Sequence, residues 1–397
     1  MVISREKTVK IISGFIFLLL FPCFYFYHQT LASGHIPPFL GGFLSPVSLL
    51  AIIVYLFFLK FIISTFSYSM FACLFFALSL YLCFMAFASF SLDGSEQMLA
   101  ALTQLLNTVL LWVSLFLVGT YIDLDEVIFK RLLLISSLIM LVTLLIHVIT
   151  SGSFIYYAAQ LHSSKDTVVS YQGFARSAQV MAFALVSIYS STRAQLIICL
   201  LSTFALFVLA ARSEFAAFVL CIIIFFVSRS LIDKSKLLVT LVILLLGFSV
   251  AVTYFDVLST SRQLNILELS HDTSWQARNQ MLIDAWERIA DAPLTGDFGG
   301  HLQSGDAGAY AHNIISLWDS FGLIPFLIYI SFILTACIQS FLIIIKQLKL
   351  SAIHIFYFLM SWNSLILLLV AKSYFWIIPA MVFGLYVNIN NKKLVSK

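Results

Sequence analysis

The sequence predicts an all-α fold, a polytopic bundle of about twelve transmembrane helices with one large loop on its outer face. Of its 397 residues, 61% are hydrophobic and 10% are charged, and its mean hydropathy is +1.04. Water-soluble domains carry about 25% charged residues, so that class is excluded. The apolar runs are continuous, as in 237–248, whereas transmembrane β-barrels need short alternating strands. A helical bundle is the architecture that remains.

The individual spans follow from apolar windows of about 20 residues between polar or charged breaks. The first window, Ile11–Tyr27, follows Arg5, Lys7 and Lys10 as in a signal peptide. No small-residue cleavage site comes closely after it, so we expect a retained span. The predicted spans are centred near residues 19, 53, 79, 110, 140, 184, 203, 221, 247, 333, 361 and 380.

The distribution of basic residues predicts the orientation of the bundle. With both termini in the cytoplasm, 15 of the 22 Lys and Arg residues lie inside, as the positive-inside rule requires. The others gather at the outer mouths of spans and in the long loop, which suggests that any chemistry takes place on the outer face. These outer residues are Lys165, Arg176, Arg212, Arg262, Arg278, Arg288 and Lys372.

The chain divides into three regions. Residues 1–257 form a transmembrane bundle of about nine spans, 258–313 form the outer loop with an amphipathic helix, and 314–397 form the C-terminal spans. The loop holds three of the eight histidines. Loops of this length are uncommon in compact proteins and are usually functional, so we expect the site there.

The six cysteines predict neither a disulfide framework nor a zinc cluster. All of them lie inside apolar runs, and no pair has the CxxC spacing. We expect them to be packing residues of the helices. The net charge of +4 carries no sign of nucleic-acid binding in so apolar a chain.

An amphipathic helix is predicted in the loop over Ser274–Ile289. Trp275 and Trp286 suit headgroup depth, so the helix would lie in the membrane interface rather than cross it. Pro293 and Gly296 end it for steric and conformational reasons. Apolar residues at spacings of three and four share one helical face: Leu282, Ala285, Trp286 and Ile289.

A glycine-rich segment, 296–308, follows this helix and leads to a histidine. Its five glycines allow the backbone to move or to approach a ligand closely. The chain then re-enters the membrane as a helix that begins close to His312. That histidine is either an interfacial residue bonded to backbone or a general base with a neutral imidazole. Its position alone does not decide between the two.

Several motifs of the loop, in their order and spacing, resemble the signature loop of the O-antigen ligase and polymerase superfamily. The resemblance covers about fifty residues, and a segment before the loop, Ala211–Ser213, resembles the Ser-Arg segment of those proteins. Two residues depart from the family pattern: Ala211 replaces a small hydroxyl residue and Pro325 replaces a glycine. The matching motifs are Arg278 with Trp286, Pro293–Gly296, Tyr310–Asn313 and Phe321–Leu323.

The resemblance implies a fold similar to the type C glycosyltransferases and an active site at the periplasmic face of the bacterial inner membrane. Such enzymes join oligosaccharides carried on undecaprenyl pyrophosphate without a metal or cofactor. The run His312–Trp318 and the short loops elsewhere look more like a polymerase of repeat units than a ligase acting on the lipid A core. The implied partners are the lipid-linked donor and acceptor, membrane lipid and a chain-length regulator, with no nucleic acid.

The resemblance also implies roles for single residues. His312 would take the proton of the acceptor hydroxyl, and Arg212 and Arg278 would hold the departing pyrophosphate, which a planar guanidinium pairs well. Arg176 joins them by its place at the mouth of another span, although Arg176 and Arg288 also suit a solvated or snorkelling role. Neighbouring arginines would keep the imidazole neutral, because like charges disfavour its protonation.

Three further residues are candidates to orient the substrate: Tyr310, Asn313 and Asp319. Asp319 lies about two turns into the helix that begins near His312. It is either a near-surface carboxylate or a residue that orients a sugar or pairs with an outer arginine.

A metal site is one rival interpretation of the loop. No pair of its candidate ligands has the His-His spacing of a helical metal motif, so we do not expect a metal. The candidates are His271, His301, His312, Asp297 and Asp306.

A flippase or other transporter of lipid-linked oligosaccharides is the second rival, since it would have a similar length and number of spans. Transporters keep ionisable residues or broken helices near the membrane midplane. Here most span cores contain no Asp, Glu, Lys or Arg, and the polar residues crowd one outer loop. This distribution favours an enzyme that works at one surface.

Overall fold

The protein is an all-α bundle in the computed structural model, which describes residues 5–32, 35–36, 42–66, 69–156, 171–233, 273–304 and 308–395. No β-strand occurs within these ranges. The helices are α1 (Arg5–Leu18), α2 (Phe24–Ala32), α3 (Leu44–Leu56), α4 (Leu59–Phe66), α5 (Met70–Asp93), α6 (Glu96–Tyr121), α7 (Val127–Ser151), α8 (Tyr171–Ile188), α9 (Thr192–Val208), α10 (Arg212–Ser230), α11 (Thr273–Asp291), α12 (Ile315–Phe321), α13 (Leu323–Lys346), α14 (Ala352–Val370) and α15 (Ile378–Val395). A π-helical turn, Leu19–Cys23, joins α1 to α2 around Pro22, and a 3₁₀ turn covers Gly300–Ser304.

Seven helical segments in the described part of the chain are long and apolar enough to cross a membrane, so the chain is a multi-pass membrane protein. Helices α3 and α9 are shorter apolar helices. The sequence predicts about twelve spans, and eleven of their centres fall on helices, while the centre near 247 lies outside the described residues. The seven segments are Arg5–Leu31, Met70–Asp93, Glu96–Tyr121, Val127–Ser151, Arg212–Ser230, Leu323–Lys346 and Ala352–Val370.

Helix α8 is the central helix of the bundle, although it is not among the seven apolar segments. Its interior is almost wholly buried, and it carries Gln172, Arg176 and Gln179. The buried amide of Gln179 donates to the backbone oxygen of Glu214 at 2.9 Å and to Oδ1 of Asn363 at 2.8 Å. These bonds join α8 to α10 and α14. Polar side chains inside a membrane bundle need such partners, because lipid offers none.

Helices α6 and α15 make the closest helix crossing of the bundle through two glycines. A Cβ on Gly119 would overlap the backbone of Met381, and one on Gly384 would overlap the backbone of Phe116. Small residues allow this approach, since van der Waals contact rather than the hydrophobic effect holds helices together in lipid. The crossing leaves the N-terminal half of α6 beyond the start of α15, beside the loop 371–377.

Helix α11 is the amphipathic helix that the sequence predicts over Ser274–Ile289, and it extends two residues further, to Asp291. Ala285 and Ile289 are buried as expected, whereas Trp286 remains 45% exposed and contacts Trp318 of α12 with its ring edge. The interfacial position of this helix stays a prediction.

The turn after α11 is fixed to α12 and α13 by close backbone contact. The backbone NH of Asp297 donates to the oxygen of Asp319 at 2.7 Å, and that of Leu323 donates to the oxygen of Pro293 at 3.1 Å. Gly322 has φ +83°, and a Cβ on it would overlap the carbonyl of Leu294. Gly296, predicted to give freedom of movement, instead packs against Gly322. Residues 305–307 of the glycine-rich segment lie outside the described residues.

Gly322→Ala should destabilise the protein, because alanine at positive φ is strained and its methyl group has no room beside Leu294. We expect a loss of about 2 kcal/mol or more in the free energy of unfolding. Thermal unfolding of the detergent-purified variant measures this. Gly308→Ala is the matched control, since a Cβ there meets no atom within 4 Å. Equal melting temperatures for both variants would contradict the assigned packing.

Candidate active site

A cavity of about 360 Å³ opens at the end of the bundle where α8 and α10 begin and α14 ends. The turn that precedes α12 and the loop 371–377 close it on two further sides. We call it the cationic cavity, because the cations Arg176 and Lys372 line it. Its charged, polar and aromatic lining includes Phe24, His28, Gln172, Arg176, Glu214, Tyr310, His312 and Lys372.

A buried ion pair lies in the wall of the cavity. Nζ of Lys372 is 2.6 Å from Oε1 of Glu214 and donates to Oε1 of Gln172 at 3.0 Å. Glu214 is 1% exposed and Lys372 9%. The other carboxylate oxygen of Glu214 accepts the hydroxyl of Ser213 at 2.8 Å. The pair connects α10, α8 and the segment after α14, and these helices therefore converge on the cavity.

Arg176 extends from α8 into the cavity. Its guanidinium carbon is 5.3 Å from the ring centroid of Phe24, a distance within the range of cation–π interactions. The side chain also borders a second cavity, which runs along α6. Arg176 therefore stands between two open spaces, with one aromatic neighbour and the charge of Glu214 nearby.

His312 lies in the turn before α12, and backbone bonds hold that turn. The NH of Ile314 donates to the oxygen of Leu368 at 2.8 Å, which ties the turn to the end of α14. Oδ1 of Asn313 accepts the NH of Ile315 at 3.0 Å, a side-chain turn contact just before α12. These bonds hold the backbone that carries the imidazole of His312.

The imidazole of His312 is neutral near neutral pH. Burial, together with the charges of Arg278 and Lys372, lowers its pKa from 6.5 to about 4. The ring lies 5.2 Å from the ring of Tyr310 and makes no hydrogen bond with any residue in the described ranges. The interfacial alternative, with the ring bonded to backbone, therefore lacks its defining contact within those ranges.

Tyr310 is a half-buried neighbour of His312. Its ring contacts the rings of His301, His312 and Phe375, and its hydroxyl lies near Gln104 and Ser373. Burial raises the pKa of this phenol, so it remains protonated and can donate a hydrogen bond.

The predicted arginines occupy three different places. Arg176 lines the cavity, and Arg278, half-buried on α11, is close enough to act on the charge of His312. Arg212 begins α10, two residues before Glu214. It is not among the described residues that line the cationic cavity. Arg278 is not among these lining residues either, so Arg176 is the predicted arginine in the cavity wall, and Arg278 lies within electrostatic range of His312.

Asp319 pairs with an outer arginine, Arg288, which is one of the alternatives that the sequence leaves open. Its two carboxylate oxygens accept Nε and Nη2 of Arg288 at 2.9 and 2.8 Å, and the carboxylate is 2% exposed. This bidentate pair joins α11, which carries Arg278, to α12, which follows His312. Its observed contacts are structural, and an effect on substrate stays a prediction.

Sequence reasoning assigned no role to Lys372, Glu214 or Gln172. In the sequence, Lys372 is one of the outer basic residues, and Glu214 lies in the first turn of an apolar helix. An unpaired carboxylate or ammonium group inside an apolar segment is unfavourable in free energy. That cost is the reason to expect such residues to have a partner. The sequence does not show that they meet.

No cluster of three or more His, Cys, Asp or Glu residues suited to a metal ion occurs in the described part of the chain. Of the five candidate ligands, His271 and Asp306 lie outside it. His301 is buried against Tyr310.

Comparison with known proteins identifies one region of the chain. No curated protein matches the chain. The sequence model described as O-antigen ligase matches residues 197–330, which include Arg212, Arg278 and His312, while Arg176 and Lys372 lie outside the match. This multi-pass membrane protein therefore carries a domain of the O-antigen ligase family, which covers both ligases and polymerases, over residues 197–330.

Proposed function

We propose that the protein is a surface-polysaccharide polymerase of the bacterial inner membrane. It would join oligosaccharide repeat units linked to undecaprenyl pyrophosphate at the periplasmic face, by metal-independent glycosyl transfer. The observation that carries the proposal is a neutral imidazole, His312, in a cavity that also contains the cations Arg176 and Lys372 and lies within the field of Arg278. A base and an anion-binding set in one space suit transfer from a diphosphate donor.

His312 would act as the general base. One imidazole nitrogen takes the proton of an acceptor sugar hydroxyl while that oxygen forms a bond to the anomeric carbon of the donor. The bond from that carbon to the diphosphate oxygen breaks, and its electron pair leaves with the polyprenyl diphosphate. A positioned base contributes roughly 10²- to 10⁴-fold to such a step.

The cations would stabilise the leaving group. The diphosphate gains negative charge as the glycosidic bond breaks, so fixed positive charges lower the transition state more than the ground state. Arg176 and Arg278 are the principal candidates, and Lys372 adds a charge that Glu214 partly balances. Arg212 stays a further candidate through the family resemblance.

A bound diphosphate would also make His312 a stronger base. The charges of Arg278 and Lys372 lower the pKa of the imidazole, and an anion placed among them offsets part of that effect. The base would thus become most effective when the donor is present.

A ligase is the second candidate function. It is favoured by the description of the matching family, O-antigen ligase. The two reactions share a lipid-linked donor and differ in the acceptor, which for a ligase is the lipid A core. The cationic cavity suits both reactions equally, because both need a bound donor diphosphate and a base.

Deletion of the gene in its host separates the two functions. For a polymerase we expect loss of the polysaccharide ladder on a gel with retention of core plus one repeat unit, and for a ligase, loss of every capped species.

His312→Ala should fail to restore the ladder, because the base supplies roughly 10²-fold or more of the rate. His354→Ala, at the start of α14, should restore it. A ladder restored equally by both variants would contradict the assignment of His312.

The pH dependence of transfer should report the neutral imidazole. Since the active form is unprotonated and burial holds the pKa near 4, kcat/KM should stay level below neutrality and fall as the pH passes through about 4. Steady-state kinetics with purified enzyme in a series of buffers checks this. An acid limb near the ordinary value of 6.5 would show that the imidazole is not shielded as described.

Substitutions of Arg278 should separate its charge from its geometry. Arg278→Gln removes a positive charge near His312, so the acid limb should move to higher pH. Arg278→Lys keeps the charge and should leave the limb in place, but lose roughly tenfold in kcat/KM because lysine cannot bind two oxygens in a planar fork. Arg131→Gln, on the exposed surface of α7, is the control. Identical limbs for Gln and Lys would overturn the electrostatic coupling.

A further inference from the structure

A second cavity, of about 630 Å³, runs along the N-terminal half of α6, and we call it the α6 groove. Arg176 and Phe375 line both this groove and the cationic cavity. The two spaces therefore meet at these two side chains. The groove lies outside the region that the family match covers, because that match begins at residue 197.

Part of the wall of the groove is a polar stripe on a membrane span. Helix α6 is one of the seven segments apolar enough to cross a membrane, yet one face of it carries Glu96, Thr103, Gln104, Asn107 and Thr108. Carboxamides that faced lipid tails would be costly, since lipid offers them no hydrogen bonds. The stripe is therefore expected to face a water-filled space rather than lipid.

The carboxamides of this stripe are the groups able to bind a ligand. The hydroxyls of Thr103 and Thr108 donate to carbonyls of their own helix, those of Leu99 and Gln104. The carboxamide of Asn107 makes no hydrogen bond within the described ranges. Gln104 lies close enough to the hydroxyl of Tyr310 to lower its pKa, and the ring of Tyr310 contacts that of His312. One chain of contacts thus leads from the groove to the proposed base.

The charge of the groove differs from that of the cationic cavity. Among its described lining residues, Arg176 at the border is the only basic one, and Glu96 adds a carboxylate at the far end. A diphosphate would bind poorly there. The carboxamides and hydroxyls stand among apolar lining residues, which are Leu99, Ala100, Leu111 and Ile377, so polar and apolar groups face the groove together. Amides and hydroxyls next to an aromatic ring, here Phe375, suit the hydroxyls and the apolar faces of sugars.

We propose that the α6 groove binds the uncharged oligosaccharide of the substrate, with Asn107 and Gln104 bonded to sugar hydroxyls. Arg176 then marks the junction between glycan and diphosphate. This rests on the proposed function, and it names the part of the substrate that this space receives. The glycan belongs either to the donor or to the acceptor, and kinetics with each substrate varied in turn distinguishes them.

Asn107→Leu is the direct test, with Gln97→Leu as the control on α6 outside the groove lining. The probe is a repeat-unit oligosaccharide obtained by partial acid hydrolysis of the surface polysaccharide of the host, used as a soluble acceptor. If the groove holds the acceptor, Asn107→Leu raises the KM for this probe roughly 5- to 10-fold, the effect of one lost hydrogen bond, with kcat nearly unchanged. If the groove holds the donor glycan, the KM for the lipid-linked donor rises instead.

Equilibrium dialysis of the same probe against the full-length enzyme separates this proposal from the proposed function. In a His312→Ala background, chemistry is lost but binding to the groove should remain, and adding Asn107→Leu should weaken it roughly 5- to 10-fold. Binding and both KM values equal to those of Gln97→Leu would overturn the groove assignment while leaving the catalytic role of His312 intact. A ladder unaffected by His312→Ala would instead overturn the proposed function.

Discussion

Charged side chains inside a membrane bundle must have partners, and this constraint organises one end of the protein. The ion pair between Lys372 and Glu214, at 2.6 Å, brings α10 together with the segment after α14, and Gln172 adds α8. Removing one member of a buried pair leaves an uncompensated charge, which is far more costly than removing both. The cationic cavity exists because these helices meet to satisfy that requirement.

The same charges set the chemistry available in the cavity. Burial and the charges of Arg278 and Lys372 together lower the pKa of His312, so the imidazole stays neutral at a pH where an exposed histidine is partly protonated. Glu214 limits the excess of positive charge around Lys372. Such an arrangement combines an unprotonated imidazole with positive charge nearby, two features that oppose each other in a single exposed histidine.

Much of the fold could be predicted from the sequence, because continuous apolar runs leave few alternatives to membrane helices. Helix α8 gave a weak signal, since Gln172, Arg176 and Gln179 lower its hydropathy, and their use became clear only from the surrounding helices. In the site, His312, Arg176 and Arg278 were anticipated from loops and span ends. Lys372 and Glu214 were not, because their partnership depends on the approach of segments far apart in the chain.

The bidentate contact between Arg288 and Asp319 has an implication for evolvability. It fixes α11 to α12 directly, so the spacing between Arg278 and His312 does not depend on the stretch of chain between Ser304 and Gly308. The connecting sequence can then change while these two side chains keep their arrangement. A rigid clamp of this kind is a modular design, by which one scaffold can vary its sequence around a constant pair of side chains.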